Sequence, residues 1–141
     1  MISARRAISA YVQTEIETGV PEADPHRLVL MLFNGALAAV ADARIKLTQG
    51  DIPGRGQAIS KAITIVDEGL RESLDLTRGG DLAERLDALY RYICARLLTG
   101  NLKADAAALD EADRLLTELQ DGWKAIGMAR PSLEVVHAAR A

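Results

Sequence analysis

The chain has 141 residues, of which 49% are apolar and 26% are charged, and its formal net charge is −3. This profile is typical of one globular domain with its own core. Lys and Arg are interleaved with Asp and Glu, which excludes the basic surface expected of a nucleic-acid-binding protein. The longest strictly apolar run, the six residues Leu28 to Phe33, is far too short to span a membrane. We expect a cytoplasmic protein, because Cys94 is the single cysteine and residues 7–13 lack a signal-peptide core.

The first predicted helix covers residues 1–18 and carries an apolar stripe at helical spacing. The stripe consists of Ile8, Tyr11, Val12 and Ile16. A helix of this length needs docking against the rest of the protein to be stable. Residues 19–24 form a linker, and Asp24 followed by Pro25 is a typical start for the next helix.

The second predicted helix, residues 25–49, is apolar nearly all round over its first half. Between Leu28 and Val40 only Asn34 is strongly polar. A helix on a protein surface needs an apolar stripe of only about 100°, so one stripe can line a core while a second apolar strip is left over. Gly35 lies on that second strip, and its cost of about 1 kcal/mol against Ala inside a helix indicates a close neighbouring backbone.

Three further helices are predicted at residues 55–76, 81–100 and 103–126, each with apolar residues spaced by three and four. No segment alternates with period two over a useful length. Four long helices joined by short connections predict an all-α fold, an antiparallel up-down four-helix bundle with the short N-terminal helix packed on or near it. The bundle domain takes residues 1–127, and residues 128–141 are expected to be a flexible tail.

The sequence shows no arrangement of residues that indicates a catalytic, metal or cofactor site. His26 and His137 are both interpreted as solvated residues, and the Glu-x-x-His pairs of a di-iron bundle are lacking. Cys94 lies within a predicted helix with no histidine near in sequence, which favours a buried structural thiol over a nucleophile. We therefore expect a protein without enzymatic activity, cofactor or metal.

The apolar residues beyond one core stripe leave several interpretations open. They can pack beneath the N-terminal helix or belong to a thick core. They can also form a groove for an apolar helix of a partner, where the small residues Gly35, Ala62 and Gly69 would allow a close approach. A homodimeric scaffold or regulatory bundle is the main alternative function, and an enzyme of unknown type is a further, disfavoured one.

A set of short motifs runs through the chain in a fixed order. They are Ala10-Tyr11, the run from Asp24 to Ala36, Gly50-Asp51, Ser73-Leu74-Asp75 followed by Gly79-Gly80, then Leu86, Leu89-Tyr90, Tyr92-Ile93, Arg96-Leu97 and Trp123. Together, at this spacing, they resemble the FliS family, the cytoplasmic flagellin-export chaperones of flagellated bacteria. The resemblance covers about residues 8–127.

The resemblance implies a protein that binds the disordered C-terminal segment of new flagellin and prevents its premature polymerisation. It also implies help in delivering flagellin to the flagellar type III export gate. The implied partners are flagellin and the export-gate protein, with no nucleic acid and no stable membrane insertion. For the free protein, a homodimer is left open.

Helical geometry predicts which residues contact the client. They are Leu28, Met31, Gly35, Ala62, Ile65, Gly69 and Tyr90. Tyr11, Val12 and Ile16 are predicted to be a displaceable cover over them. Tyr11 also matches the N-terminal Tyr that the family resemblance links to client and export-gate contacts.

Overall fold

A computed structural model of the chain describes residues 24–77 and 79–128, which form four helices and no strand. Helix α1 spans Pro25–Gln49, and α2 spans Ile52–Thr64 and continues as a π-helical segment, Ile65–Arg71, called the π segment below. Helix α3 spans Gly80–Leu102 and α4 spans Ala106–Met128. The predicted N-terminal helix and nearly all of the predicted tail lie outside the described residues.

The four helices pack side by side as an antiparallel bundle, in which α1 contacts α2 and α4 while α3 contacts α4 and the π segment. His26 at the start of α1 bonds to Trp123 near the end of α4 at 2.7 Å. Arg71 at the end of the π segment pairs with Asp87 in the first half of α3 at 2.6 Å. The all-α bundle predicted from the sequence is confirmed.

Aspartate side chains start three of the four helices by accepting hydrogen bonds from free backbone N–H groups of the first turn. Pro25 and Pro53 occupy the first turns of α1 and α2, where a missing N–H costs nothing. Because Asp51 caps α2, this helix begins at Ile52 and not at residue 55. The cap bonds join Asp24 Oδ1 to the His26 N–H (3.0 Å), Asp51 Oδ1 to the Gly54 N–H (2.9 Å) and Asp105 Oδ1 to the Ala107 N–H (3.0 Å).

The π segment is the main departure from the predicted helices, because the apolar spacing predicts one α-helix from residue 55 to 76. A π-helix closes i→i+5 bonds, so each turn holds more residues and side chains after Thr64 point in changed directions. Arg71 binds Asp67 of the same segment at 2.7 Å and Asp87 of α3 at 2.6 Å, and the second pair ties the end of the π segment to α3.

One hydrophobic core runs between the four helices and draws residues from each of them. The largest fully buried side chains are Phe33, Val40, Ile59, Val66, Leu70, Ile93, Leu97, Leu109 and Leu116. Leu82 and Ile126, which continue the apolar three-and-four spacing of α3 and α4, are 68% and 55% exposed. Both lie near the ends of helices, where the bundle no longer covers them.

Helix α1 is the one described helix that is long and apolar enough to cross a membrane by length and composition. The core helix of a bundle passes the same test. Here α1 buries Phe33, Ala36, Val40 and Ala43 against the other helices, with each side chain at most 1% exposed. Packing inside the bundle therefore accounts for this apolar stripe of α1.

Candidate partner-binding site

We call the predicted client residues of α1, α2 and the π segment the α1–α2 flank, in which Gly35 and Ile65 lie next to each other. It consists of Leu28, Met31 and Gly35 of α1 with Ala62 of α2 and Ile65 and Gly69 of the π segment. Gly35 faces the π segment, because a Cβ placed on it would lie 3.3 Å from Ile65 Cδ1. This distance is shorter than an ordinary van der Waals contact, so the close neighbour of Gly35 is a side chain and not the backbone expected from the sequence.

Burial separates the predicted client residues into two layers. Those on α1 are half-buried, whereas those on α2, the π segment and α3 are buried, so less of this surface is exposed than a partner-binding strip requires. The half-buried layer is Leu28, Met31 and Gly35, and the buried layer is Ala62 (0% exposed), Ile65 (9%), Tyr90 (5%) and Gly69.

The buried layer of the predicted surface belongs to the bundle core. Ala62, Ile65 and Tyr90 lie in one hydrophobic cluster with Phe33 and Ala36. Burial raises the pKa of the Tyr90 hydroxyl to about 12. A partner that meets the flank from outside therefore reaches the α1 residues first. The predicted cover residues Tyr11, Val12 and Ile16 lie outside the described part of the chain.

His26 and Trp123 join α1 to α4 at the end of the bundle where the described chain begins. The two rings stack with centroids 5.0 Å apart and planes 11° apart. The Trp123 Nε1–H donates to the His26 carbonyl oxygen at 2.9 Å, and His26 Nε2 donates to the Trp123 carbonyl oxygen at 2.7 Å. A Cβ on Gly127 would overlap the His26 ring, so glycine is needed there. We call this arrangement the His26–Trp123 clasp.

The clasp corrects the interpretation of His26 as a solvated residue at a helix end. His26 is half-buried, and its ring is held by a stacking contact and a hydrogen bond. A carbonyl oxygen only accepts, so Nε2 carries the hydrogen in this contact. The residue has a structural role, which fixes where the chain enters α1.

Two polar contacts fix the register of neighbouring helices. Gln120 of α4, 6% exposed, donates to Asn34 Oδ1 of α1 at 2.6 Å. Arg55 of α2, 8% exposed, donates to the side-chain and backbone oxygens of Asn101 in α3 at 3.3 and 2.9 Å. Buried polar groups are costly without partners, so a shift of either helix by one turn would be penalised. Asn34 is conspicuous in the sequence as a polar residue in an apolar run, but nothing in the sequence indicates that Gln120, 86 residues away, is its partner.

Two shallow clefts lie outside the flank. One, of about 420 Å³, lies between the end of α1 and the start of α4, where Arg44 pairs with Asp110 at 2.9 Å. The other, of about 530 Å³, lies beside Arg71 and Asp87, which pair with each other. Within the described ranges, no group of three or more His, Cys, Asp or Glu residues could hold a metal ion.

Residues 7–130 match the family model described as flagellar protein FliS. The chain belongs to the FliS family. It is 46% identical to the flagellar secretion chaperone FliS of Salmonella typhimurium, over 84% of this chain and 88% of that protein. It is also 46% identical to the flagellar secretion chaperone FliSB of Pseudomonas aeruginosa, over 87% and 97% of the two chains.

A third FliS relative, the flagellar secretion chaperone of Escherichia coli, is 38% identical over 92% of this chain and 95% of its own length. The FliS resemblance seen in the sequence motifs is thereby confirmed. The family match includes all four helices of the bundle and begins before them, at residue 7. It therefore also includes the predicted cover residues.

Chaperones are not an enzyme class, and the single thiol of this FliS chain lies in a setting that suppresses its reactivity. Cys94 is half-buried on α3, with its Sγ 3.9 Å from the Ile63 carbonyl oxygen. Burial raises the pKa of the Cys94 thiol from 9.0 to about 11. The native state thus favours the neutral thiol, as expected for a structural cysteine. Burial of the neutral Cys94 thiol stabilises the native state fully below pH 9, and this contribution is lost as the pH rises through about 11.

We expect Cys94 to react with a disulfide reagent at pH 8 about 100-fold more slowly in the native protein than in urea, because two pKa units leave about 100-fold less thiolate. Absorbance of the released thiolate measures both rates. Cys94→Ser gives the blank, since the chain has one cysteine. Equal native and unfolded rates would show that the thiol is accessible and ionises normally.

Proposed function

We propose that this FliS-family protein is a cytoplasmic export chaperone for flagellin, without enzymatic activity. It binds the disordered C-terminal segment of flagellin, keeps it from polymerising and aids its delivery to the type III export gate. The observation that carries the proposal is the family membership, with relatives named flagellar secretion chaperones at up to 46% identity. A disordered segment that folds on binding spends part of its interaction energy on ordering, so the complex stays releasable.

The α1–α2 flank is the surface that we propose for the client. Leu28 and Met31 are half-buried there, so an apolar client helix would cover the area they still expose. Burying such a side chain fully stabilises by about 1.5–3 kcal/mol, and the exposed remainder of each gives part of that. Gly35 is half-buried beside Ile65, so a client helix could contact the exposed part of its backbone at this level.

We further propose that residues 1–18 cover this flank in the free protein. Residues 1–23 join the bundle at Asp24, the N-cap of α1, which precedes Leu28 by four residues along the chain. The linker of residues 19–24 can span about 20 Å at about 3.4 Å per residue. This reach is enough for Tyr11, Val12 and Ile16 to fold back over the α1–α2 flank. A tethered cover competes with the client for the flank at an effective concentration in the millimolar range. Client and cover would therefore replace each other by competition, without nucleotide hydrolysis.

The test of the proposed function is capture of the cognate flagellin from purified components. Full-length flagellin is expected to co-elute with the protein. Flagellin without its last forty or so residues is not expected to co-elute. That number is about the length of chain needed to wrap a helix of about 36 Å. Equal capture of both would contradict the proposed client segment. Capture of neither, with a stable dimer seen by light scattering, would favour the homodimeric scaffold.

We expect the combined substitution Tyr11→Ser, Val12→Ser and Ile16→Ser to increase binding of an apolar fluorescent dye by the free protein, because it uncovers the flank. Dye fluorescence at matched protein concentration is the measurement. Glu17→Ser, on the opposite side of the same predicted helix, is the matched control and should leave fluorescence unchanged. Fluorescence that stays constant in the triple variant would mean that this segment covers nothing.

A further inference from the structure

The sides of α3 and α4 that face each other carry an apolar strip near the end of α4. On α3, Leu89 and Leu82 precede Arg96 by one and two steps of seven residues. Each such step turns by only about 20° around a helix, so the three residues share one face. Arg96 Nε donates to Glu111 Oε1 of α4 at 2.6 Å, so this face of α3 is turned toward α4.

The matching face of α4 begins at Glu111. Gly122 and Ile126 follow it by 11 and 15 residues, a spacing that keeps them within about 60° of it around the helix. Because α3 and α4 are antiparallel, equal steps away from the Arg96–Glu111 pair reach the same level on both helices. Fourteen residues back along α3 lead to Leu82, and 15 forward along α4 lead to Ile126, so these two residues lie opposite each other.

The outer end of this strip is not covered by the described part of the chain. Leu82 and Ile126 are both more than half exposed, and a Cβ placed on Gly122 would meet no described atom within 4 Å. Single exposed apolar residues are common, but a contiguous apolar strip indicates an interaction surface. We call this surface the α3–α4 groove, and it consists of Leu82, Leu86 and Leu89 of α3 with Leu119, Gly122 and Ile126 of α4.

Residues 129–141, which follow α4, begin at one wall of the α3–α4 groove. Pro131 disfavours continuation of the helix, so the segment can turn away from the axis of α4. Leu133 is about 17 Å of extended chain from the end of α4, at about 3.4 Å per residue. Leu119 is only about 14 Å from the same point, at 1.5 Å of helical rise per residue. Leu133 and Val136 can therefore both reach the floor of the groove.

We propose that residues 129–141 fold back and bind in the α3–α4 groove, where Leu133 and Val136 cover its apolar side chains. The inference is independent of flagellin binding, and it replaces the flexible tail expected from the sequence. A segment tethered at the groove has an effective concentration in the millimolar range, which a second copy of the chain at micromolar concentration does not reach. Residues 1–23 join the bundle at α1, which forms neither wall of the groove.

Disulfide formation in the full chain tests this position. The Cys94→Ser protein receives Gly122→Cys in the groove and Val135→Cys in the segment, which leaves both proposed apolar contacts intact. Under copper–phenanthroline oxidation we expect an intramolecular disulfide about tenfold faster than in the control, because docking holds the two thiols close. The matched control replaces Gly122→Cys by Lys124→Cys, at an exposed residue two positions nearer the segment and about 160° away around α4. Loss of free thiols in monomeric protein measures both rates.

The two rates decide between a docked and an undocked segment. Equal rates, or a faster control, would overturn the proposal, since an undocked segment reaches Lys124→Cys at least as easily. Disulfide-linked dimers in place of the intramolecular bond would give the groove to a second copy of the chain and would also overturn it. Cys94→Ala supplies the same background if serine is not tolerated at that position.

A substitution inside the groove tests whether apolar contact holds the segment. Leu82→Ser removes a side chain that is largely exposed, so the bundle should still fold, and we expect the disulfide rate of the Gly122→Cys pair to fall to that of the control. Leu98→Ser, at an exposed leucine about 160° away around α3, should leave the rate unchanged. An unchanged rate in Leu82→Ser would show that the groove does not bind the segment, and the proposal would fail.

Discussion

Trp123→Ala is expected to lower the free energy of unfolding by about 3 kcal/mol, the lower end of the range for removing a large aromatic side chain from a core, because Trp123 is half-buried. Three contacts disappear together: the ring stacking on His26 at 5.0 Å, the Nε1–H bond to the His26 carbonyl oxygen at 2.9 Å, and the packing against the core. Urea unfolding followed by circular dichroism measures the loss.

Smaller substitutions separate these contacts. Trp123→Phe keeps an aromatic ring and leaves the His26 carbonyl oxygen without its donor, so we expect a loss of about 1–2 kcal/mol. A double-mutant cycle with His26→Ala should give a coupling of about 0.5–1.5 kcal/mol, the usual range for stacked rings. Tyr92→Ala is the control, since Tyr92 is 45% exposed. A Trp123→Ala loss no larger than that of Tyr92→Ala would show that the clasp contributes little.

The local signals in the sequence predicted where α1 lies. Asp24 and Pro25 start the helix, and Gly50, at a φ of 72°, ends it with N–H bonds back to Leu47 and Lys46. Caps and left-handed glycines act within a few residues, so their effects can be read from neighbours alone. The all-α bundle followed from the same kind of local information, repeated over four helices.

The π segment could not be predicted from the apolar spacing. Ile59, Ile63, Val66 and Leu70 follow an α-helical pattern, and the extra residue per π turn adds no distinctive residue type to the sequence. A tertiary contact, the ion pair of Arg71 with Asp87 on α3 at 2.6 Å, holds the end of the π segment in place. Such contacts bridge distant parts of the sequence.

The sequence predicted which helix faces contribute residues to the candidate site, but not how deeply those residues are buried. Periodicity assigned Gly35 and Ile65 to strips beside the core-facing stripes of their helices. How deeply Ile65 is buried depends on how closely α1 and the π segment approach, and at Gly35 no side chain stands between them. The partner of His26 was missed for a related reason, since Trp123 lies 97 residues further along the chain.

Gly35→Leu is expected to weaken flagellin binding about tenfold or more, because a new side chain on the α1–α2 flank would block the close approach of a client helix. The sequence alone suggests an unchanged thermal midpoint, but the contact with Ile65 alters this expectation. A Cβ at this position is already 3.3 Å from Ile65 Cδ1, so leucine must displace Ile65. We therefore expect an additional loss of about 1–3 kcal/mol of stability from overpacking.

A second substitution distinguishes blocked docking from overpacking. Ile65→Ala in the Gly35→Leu background makes room for leucine and should recover much of the stability, while flagellin binding should stay weak because the flank is still filled. Ile65→Ala alone measures what Ile65 contributes to binding by itself. Ala41→Leu adds the same side chain to α1 in the cleft facing α4, away from the flank, and should leave binding intact. If the Gly35→Leu, Ile65→Ala protein recovers stability and affinity together, Gly35 serves only to admit Ile65, and the client binds elsewhere on the bundle.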